Sequence, residues 1–300
     1  MGATAGGKTS LAVNLAFELN GEIISADSRQ VYKGMDLGTG KDINEYRFKN
    51  VDIPYHLIDI VEAGYKYNVF EYQKDFLKAY NDILGRKKFP VMCGGTGIYI
   101  DAVLKAYKLI NVPVNNELRN ELNSKSNEDL IKYLISNREL HNSTDTKNRK
   151  RLIRAVEIAL FYEQNPDFET YFPKINSFNI QIIFNRDQRR KRITERLKER
   201  LNNGMIEEVK ELIDNGVSIE TLKYYGLEYK FITEYLLKEL TYKEMFDKLE
   251  IAIHQFSKRQ MTWFRKMEKD GVKIHKIDGN LPLERKINNI FELLNKNTHK

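Results

Sequence analysis

Apolar and polar positions alternate with two different periods along the chain, and each change of period marks a predicted element. Apolar residues recur every three to four positions over residues 9–19, which predicts an amphipathic helix that ends at an Asn-Gly pair. Short apolar segments follow at residues 22–26, 55–60 and 89–93, separated by stretches of helix length. This order predicts an α/β fold with a parallel sheet, flanking helices and a ligand site at the carboxyl ends of the strands.

The pattern becomes polar and helical in the middle of the chain. Residues 114–163 are rich in Asn, Ser and Lys and carry no strand signal, whereas residues 178–184 predict a return to the sheet. The remaining predicted elements are helices over residues 187–215 and 242–268, a strand over 272–277 and a closing helix over 281–294. We therefore predict a discontinuous α/β core, residues 1–113 and 176–300, interrupted by an all-helical domain over residues 114–175.

Composition narrows the class of protein. The 300 residues are 41% hydrophobic, which is sufficient for a buried core, and 49 basic against 42 acidic residues give a net charge of +7 that suits a polyanionic partner. The single cysteine, Cys93, excludes an internal disulfide framework and a cysteine-based zinc site. No apolar run approaches the ~20 residues that span a bilayer, and no signal segment is apparent. We expect a cytoplasmic protein without a membrane partner.

The sequence GATAGGKT over residues 2–9 matches the phosphate-binding P-loop pattern in full, and the first predicted helix begins within it. Its backbone N–H groups and the helix N-terminus would surround phosphate oxygens, Lys8 would add a positive charge, and the Thr9 hydroxyl would bind Mg²⁺. The predicted phosphate-binding residues are Gly2, Thr4, Ala5, Gly6, Gly7, Lys8, Thr9 and Ser10. The loop indicates phosphate, not ATP in particular. Asp59 is either the metal-binding acid of an NTPase or a cap after its strand.

A P-loop follows a buried central strand in its usual fold, but this one begins at residue 2. Such a strand is therefore missing from the printed sequence. We expect it upstream of residue 1, because a core without it would expose the edges of the neighbouring strands. The alternative is a core that lacks the strand altogether.

Four separated blocks together carry a resemblance to a known family. They are the P-loop, ADSRQVY at residues 26–32 with GMD and GTGK close behind, GGTGIY at 94–99, and SKRQMTWFR at 257–265. In this order and spacing the chain resembles, over nearly its whole length, the tRNA dimethylallyltransferases, or tRNA isopentenyltransferases. It departs from the usual pattern at Gly40 and Asp42 and in an altered Gly-Tyr-Lys motif at 225–230, which leaves fine RNA specificity open.

The resemblance implies transfer of a dimethylallyl group from dimethylallyl diphosphate to the exocyclic amine of the adenosine immediately 3′ of the anticodon, giving N6-isopentenyladenosine. It implies that Asp27 is the general base and that Arg186 assists Lys8, Thr9 and Mg²⁺ at the leaving diphosphate. The predicted position of Asp27, at the carboxyl end of a strand after the P-loop helix, agrees with this role. The alternatives are a structural cap for Asp27 and a solvated charge for Arg186.

The same resemblance implies contacts with the tRNA anticodon loop, because an adenine must leave its stack to react. The implied tRNA-binding residues are Asp27, Ser28, Arg29, Gln30, Thr96, Lys150, Arg151 and Arg154. A solvated helix face is an equal alternative for Lys150. We interpret the other basic residues of the run 186–200 as mostly solvated, and Trp263 as a packing residue. We expect a monomer.

Three rival functions remain open from the sequence. A nucleoside or nucleotide kinase shares the P-loop and would bind ATP tightly. A prenyltransferase acting on free adenine nucleotides would not need the helical insertion. An RNA-binding protein that uses the P-loop only as a switch would not depend on Asp27.

Overall fold

The structure, a computed structural model, describes residues 1–137, 146, 148–165 and 171–298. The chain divides into two compact units, Met1–Ala106 with Lys174–Lys300 as unit 1 and Tyr107–Pro173 as unit 2. The boundaries thus fall at 106/107 and 173/174, where the sequence placed them at 113/114 and 175/176. Parts of the predicted helical domain, residues 138–145, 147 and 166–170, lie outside the described residues.

The described strands all belong to unit 1. They are β1 (Gly21–Ala26), β2 (Arg47–Phe48), β3 (Val51–Asp52), β4 (Tyr55–His56), β5 (Phe89–Gly94), β6 (Asn179–Ile183) and β7 (Ile274–Asp278). Parallel pairing gives a three-stranded sheet in the order β4-β1-β5 and a two-stranded sheet of β6 and β7, while β2 and β3 form an antiparallel hairpin. Parallel pairing of β1, β5, β6 and β7 is what the alternation of strands and helices predicts.

The α-helices described in unit 1 lie before and after the insertion in chain order. Those before unit 2 are α1 (Lys8–Glu18), α2 (Val69–Gly85) and α3 (Gly97–Leu104), and unit 2 contains α4 (Asn116–Ser124), α5 (Asn127–Asn137) and α6 (Arg149–Gln164). Those after it are α7 (Arg186–Asn202), α8 (Met205–Asp214), α9 (Ile219–Tyr225), α10 (Leu227–Leu236), α11 (Tyr242–Lys269) and α12 (Leu283–Thr298). Across the described ranges, no helix has the length and apolarity needed to cross a bilayer.

Strand β1 is the centre of the three-stranded sheet, and all six of its residues are buried. Its carboxyl end lies beside that of β5, with Ala26 opposite Gly94. A Cβ atom on Gly94 would lie 2.1 Å from the Ala26 carbonyl oxygen, so only glycine permits this approach. The residues that follow the two strands, Asp27 and Thr96, are consequently placed at one edge of the sheet.

Helix α1 packs on both sheets through its apolar positions. Ala12, Val13 and Ala16 join the core beside β1, whereas Leu11 and Leu15 pack with residues of β6, β7 and α12. The apolar spacing that predicts the helix is therefore the spacing that buries it, and the P-loop at its N-terminus is fixed by the core beneath.

The start of the chain lies along β6. The Met1 ammonium donates a hydrogen bond to the Ile180 carbonyl at 2.7 Å, the Ile182 amide donates to the Met1 carbonyl at 3.2 Å, and Gly2 forms a parallel bridge with Ile182. In the described part of the chain no strand precedes α1. An apolar cavity of about 340 Å³ is lined by both β5 and β6.

Two predicted elements are shorter than the sequence pattern indicates. The strand predicted over residues 55–60 is limited to Tyr55–His56, because Leu57 and Asp59 adopt left-handed backbone conformations with φ of 62° and 55°. The helix predicted over residues 187–215 is two helices, α7 and α8, separated at Gly204, where φ is 98°. Apolar periodicity continues through both breaks and does not reveal them.

Unit 2 has its own small core between α4, α5 and α6, formed by residues such as Leu122, Leu134 and Leu152. The buried carboxylate of Glu157, on α6, links this helix to α4. It accepts hydrogen bonds from Arg119 Nη2 at 2.7 Å and from the Asn115 amide at 2.8 Å. Burial alone would raise the pKa of Glu157, but these hydrogen bonds outweigh burial and the pKa is lowered, so the carboxylate stays charged.

Candidate functional site

The P-loop forms a turn of left-handed residues before α1. Ala5 and Gly7 have φ of 58° and 67°, and Gly7 is the residue that precedes the helix. The Lys8 ammonium donates a hydrogen bond to the Ala3 carbonyl at 2.9 Å. Burial lowers the pKa of Lys8. An anion bound in the loop would favour its charged form, so the loop and lysine are suited to hold a phosphate.

Helix α7 adds arginines at intervals of four residues. Arg192 Nε donates to the Ala5 carbonyl at 2.9 Å, and Arg196 Nη2 donates to the Thr4 hydroxyl. Arg200 is buried one turn further on. Burial, with Arg200 nearby as the next cause, lowers the pKa of Arg196 to about 10, so this guanidinium remains protonated at neutral pH. These guanidiniums surround the phosphate loop with positive charge.

Asp27 and Thr96 face each other across the ends of β1 and β5. Asp27 Oδ1 accepts a hydrogen bond from the Arg29 amide at 2.9 Å, and Oδ2 accepts none from the described residues. Thr96 Oγ1 accepts from the Ser28 amide at 2.9 Å, while the Thr96 amide donates to the Ala26 carbonyl at 3.1 Å. The loop after β1 is thus held in place, and one carboxylate oxygen of Asp27 is left for a ligand.

The fourth sequence block supports the P-loop from α11. Gln260 Oε1 accepts from the Thr4 amide and its Nε2 donates to the Gly95 carbonyl, both at 2.9 Å. The Trp263 indole packs against Gly97 so closely that a Cβ atom on residue 97 would lie 2.4 Å from it. The expected packing role of Trp263 is confirmed, and Gln260 joins the phosphate loop to the end of β5.

Glu208 on α8 holds the loop that follows the second sequence block. Its carboxylate accepts hydrogen bonds from the amides of Asp36, Leu37 and Gly38 at 2.9, 2.6 and 3.1 Å, and from the Tyr229 hydroxyl at 2.7 Å. Gly38 and the two residues after it line the same pocket as the P-loop. The carboxylate therefore fixes one wall of the pocket without entering it.

Glu208→Gln is expected to lower kcat/KM for the reaction proposed below by about tenfold, because a glutamine amide has only one acceptor oxygen and its NH2 group would face the remaining backbone N–H donors of the loop. Steady-state kinetics of the purified variant would measure the loss. The matched control is Glu207→Gln, which alters the exposed neighbour. Equal kinetics for the two variants would show that the loop does not depend on the Glu208 charge.

These elements enclose one pocket of about 560 Å³. The predicted site residues that line it are Thr4, Ala5, Gly6, Gly7, Lys8, Thr9, Asp27, Ser28, Arg29, Gln30 and Thr96. Gln30 is buried, and it accepts from the Ser25 hydroxyl at 3.0 Å and donates to the Gly40 carbonyl at 2.9 Å. The P-loop and the carboxylate of Asp27 therefore share one pocket.

Other predicted residues do not line this pocket. Gly2 pairs with β6, and Ser10 lies within α1, where its carbonyl accepts from Asn14. Arg186 is the first residue of α7 and is exposed, about 9 Å along the helix axis before Arg192.

The three predicted tRNA-binding residues of α6 belong to unit 2. Lys150 and Arg151 are exposed. Arg154 donates to the Val112 carbonyl at 2.7 Å and forms an ion pair with the buried Glu157 at 2.5 Å. Arg154 therefore has structural contacts within unit 2.

Asp59 lies outside the pocket and has another partner. It forms an ion pair with Lys41, a fully buried lysine that also donates to the Tyr32 carbonyl and to Asp36, both at 2.6 Å. A buried ammonium requires such acceptors. Of the two readings of Asp59, this arrangement favours the structural one.

Sequence reasoning missed the arginines that do enter the pocket. The interpretation of the run 186–200 as a solvated face is wrong for Arg196 and Arg200, which line the pocket. Their spacing of four residues, parallel to the apolar stripe of Ile193, Leu197 and Leu201, is the signal that could have found them. Glu228, whose pKa is raised by burial, is one of several further carboxyls of the pocket that were not predicted; the others are Asp42, Glu45, Glu195 and Glu199.

The donors available for a metal ion are few. Over the described residues, no group of three His, Cys, Asp or Glu side chains is placed to hold one. The Thr9 hydroxyl does line the phosphate pocket. Mg²⁺ commonly keeps several waters and takes most protein-site ligands from a bound phosphate, so this sparse donor set fits Mg²⁺ bound together with a diphosphate.

The chain is similar to known proteins over almost its full length. Residues 30–267 match the family model described as IPP transferase. tRNA dimethylallyltransferase 2 of Bacteroides fragilis is 56% identical over 294 residues, covering 98% of this chain and 96% of that protein. tRNA dimethylallyltransferase 1 of Parabacteroides distasonis is 55% identical over 296 residues, covering 98% and 96%.

The fold is similar as well. The crystal structure of the full-length tRNA isopentenylpyrophosphate transferase from Bacillus halodurans superposes with a TM-score of 0.72 and 30% identity, covering 98% of this chain and 94% of that one. The predicted α/β fold of the P-loop type is confirmed. Because the family model matches residues 30–267 and relatives of this identity cover nearly the whole chain, the chain belongs to the IPP transferase family.

Proposed function

We propose that this protein transfers a dimethylallyl group from dimethylallyl diphosphate to the exocyclic amine of the adenosine immediately 3′ of the anticodon in tRNA. The observation that carries the proposal is the single pocket in which the P-loop, Arg196 and Asp27 meet. The names of the relatives support the same reaction.

The reaction divides between two sides of the pocket. The adenosine N6 forms a bond with the first carbon of the allyl group, and the bond from that carbon to the diphosphate oxygen breaks. The diphosphate leaves with the electron pair, and the N6 proton passes to Asp27. Oδ2 of Asp27, which accepts no hydrogen bond from the described residues, is the oxygen available for that proton.

The leaving diphosphate develops negative charge as the bond to carbon breaks. The P-loop amides, the Lys8 ammonium and the Arg196 guanidinium are fixed donors that would stabilise this charge without reorganising. Thr9 would hold a Mg²⁺ ion against the diphosphate, and the ion would neutralise further charge on the leaving group. Prenyl transfer therefore uses the P-loop for a departing diphosphate instead of a transferred phosphoryl group.

Contacts with RNA complete the proposal. Ser28, Arg29, Gln30 and Thr96 line the pocket beside Asp27, where they would surround the flipped base. The exposed Lys150 and Arg151 of unit 2 would contact tRNA phosphates. A cytoplasmic location and a monomeric state remain predictions from the sequence.

The test is incubation of the full chain with dimethylallyl diphosphate, Mg²⁺ and an unmodified tRNA that carries adenosine after its anticodon. Mass spectrometry of the digested nucleosides is expected to show isopentenyladenosine at that position only. A control tRNA with guanosine at the position should remain unmodified. Turnover of ATP without any prenylated adenosine would contradict the proposal and favour the kinase; prenylation of free adenine nucleotides alone would favour the second rival.

A further inference from the structure

Two arginines that line the pocket each lie over an exposed aromatic ring. The Arg29 guanidinium lies 5.7 Å from the centre of the Tyr224 ring and donates to the Tyr224 carbonyl at 3.4 Å. The Arg259 guanidinium lies 5.8 Å from the centre of the Phe256 ring. Each pair presents a flat, positively charged surface. We call these pairs the Tyr224 platform and the Phe256 platform.

Neither ring is needed for the core of unit 1. Tyr224 is 57% exposed, whereas its neighbour Tyr225 is fully buried and donates its hydroxyl hydrogen bond to the Tyr65 carbonyl at 2.9 Å. Helix α9 therefore takes its core contact from Tyr225 and turns Tyr224 outward. Single exposed aromatics are common, and exposure alone would carry no conclusion.

The Phe256 ring is similarly turned away from the packed face of its helix. On α11 the buried positions around it are Ile253, Ser257 and Gln260, while Phe256 itself is 39% exposed and lines the pocket. Gln260, one residue after Arg259, binds the P-loop and the end of β5. The Phe256 platform is therefore attached to the residue that joins the two walls of the phosphate site.

The Tyr224 platform adjoins Asp27, the proposed general base. Arg29 follows Asp27 by two residues, and its amide is the donor to Asp27 Oδ1. Both platforms thus adjoin residues that shape the reaction pocket, and both pair a ring face with a guanidinium. This combination suits an unpaired nucleobase, since a base stacks on the ring and its phosphate is attracted to the arginine.

We propose that the Tyr224 and Phe256 platforms stack on the nucleobases that flank the reactive adenosine. The inference rests on the proposed function. Removing an adenine from its stack leaves each neighbouring base without one stacking partner. The Phe256 ring in the pocket and the Tyr224 ring beside Arg29 would replace those partners and keep the loop open. The interaction is tolerant of base identity, because every base has a π-face.

The experiment measures equilibrium binding of an unmodified anticodon stem-loop RNA to the full chain, without dimethylallyl diphosphate, by fluorescence anisotropy. Tyr224→Ala and Phe256→Ala are each expected to raise Kd about 5- to 100-fold, as for other bases stacked on aromatic residues. Tyr224→Phe keeps the ring and is expected to bind as wild type. Tyr242→Ala, which removes another exposed tyrosine of unit 1, serves as the matched control.

A second set of RNAs identifies the contact. Each carries an abasic site at one of the two positions beside the adenosine. If a platform stacks on that base, its alanine variant and the wild type will bind the abasic RNA equally, because the interaction is already lost. Unchanged Kd values for both alanine variants would overturn the proposal. It would also be overturned if the alanine variants bound both abasic RNAs as much more weakly than wild type as they bind the intact RNA.

The two proposals can fail separately. Prenylation of the same RNA by the wild type tests the proposed function, whereas the binding differences need no catalysis. A wild type that binds through the platforms but does not prenylate keeps this inference and rejects the function. If the wild type prenylates the RNA while the alanine variants bind it normally, the proposed function is kept and this inference is rejected.

Discussion

Asp27→Asn is expected to lower kcat for prenyl transfer by about 10²- to 10⁴-fold, the usual contribution of a positioned general base. The substitution is nearly isosteric. The amide oxygen can still accept from the Arg29 amide, so the loop after β1 should keep its conformation. The neutral amide cannot take the proton from adenosine N6. The loss should therefore fall on kcat, with KM for dimethylallyl diphosphate changed little.

Single-turnover kinetics with saturating RNA and diphosphate would measure the chemical step directly. The melting temperature of Asp27→Asn should match that of wild type, which separates a lost base from a lost fold. A variant that retains most of the wild-type rate would contradict the base assignment. It would also restore the alternative in which Asp27 only caps the turn.

The general architecture follows from the sequence because local pattern and tertiary burial agree there. The apolar spacing of α1 and the apolar residues Ile23, Ile24 and Ala26 of the fully buried β1 specify their elements and their packing together. The breaks are less predictable. At Leu57 and Asp59 the strand ends in left-handed conformations that ion pairing of Asp59 with Lys41 helps to hold, and these contacts join residues far apart in sequence.

The candidate site also has parts that the sequence predicts and parts that it does not. The P-loop and Asp27 could be found because contiguous motifs encode them, and the closeness of Asp27 to Thr96 follows from the adjacent ends of β1 and β5. Glu208 could not be found in this way. Its function as an anchor depends on three backbone amides about 170 residues earlier in the chain, as the bond from Leu37 with a separation of 171 residues shows. No local pattern marks such a contact.

Two arginines of α7 are candidates for the group that stabilises the leaving diphosphate: Arg196, which the structure indicates, and Arg186, which the family resemblance implies. Arg196→Gln is expected to lower kcat/KM by about 10²- to 10³-fold, the effect of removing one fixed donor to a developing anion. Its guanidinium donates to Thr4 of the P-loop, and it lines the pocket. Arg186→Gln is the matched control, because Arg186 is exposed at the start of α7 and does not line the pocket.

The pair of variants gives opposite outcomes for the two assignments. If Arg196 meets the leaving diphosphate, Arg186→Gln should retain nearly the full kcat/KM, and Arg196→Lys should recover only part of it, because an ammonium keeps the charge but not the guanidinium geometry. A large loss for Arg186→Gln with little effect of Arg196→Gln would instead return the role to Arg186. That result would contradict the assignment to Arg196, which rests on the position of Arg186 six residues, or about 9 Å along the helix axis, before the first arginine that contacts the loop.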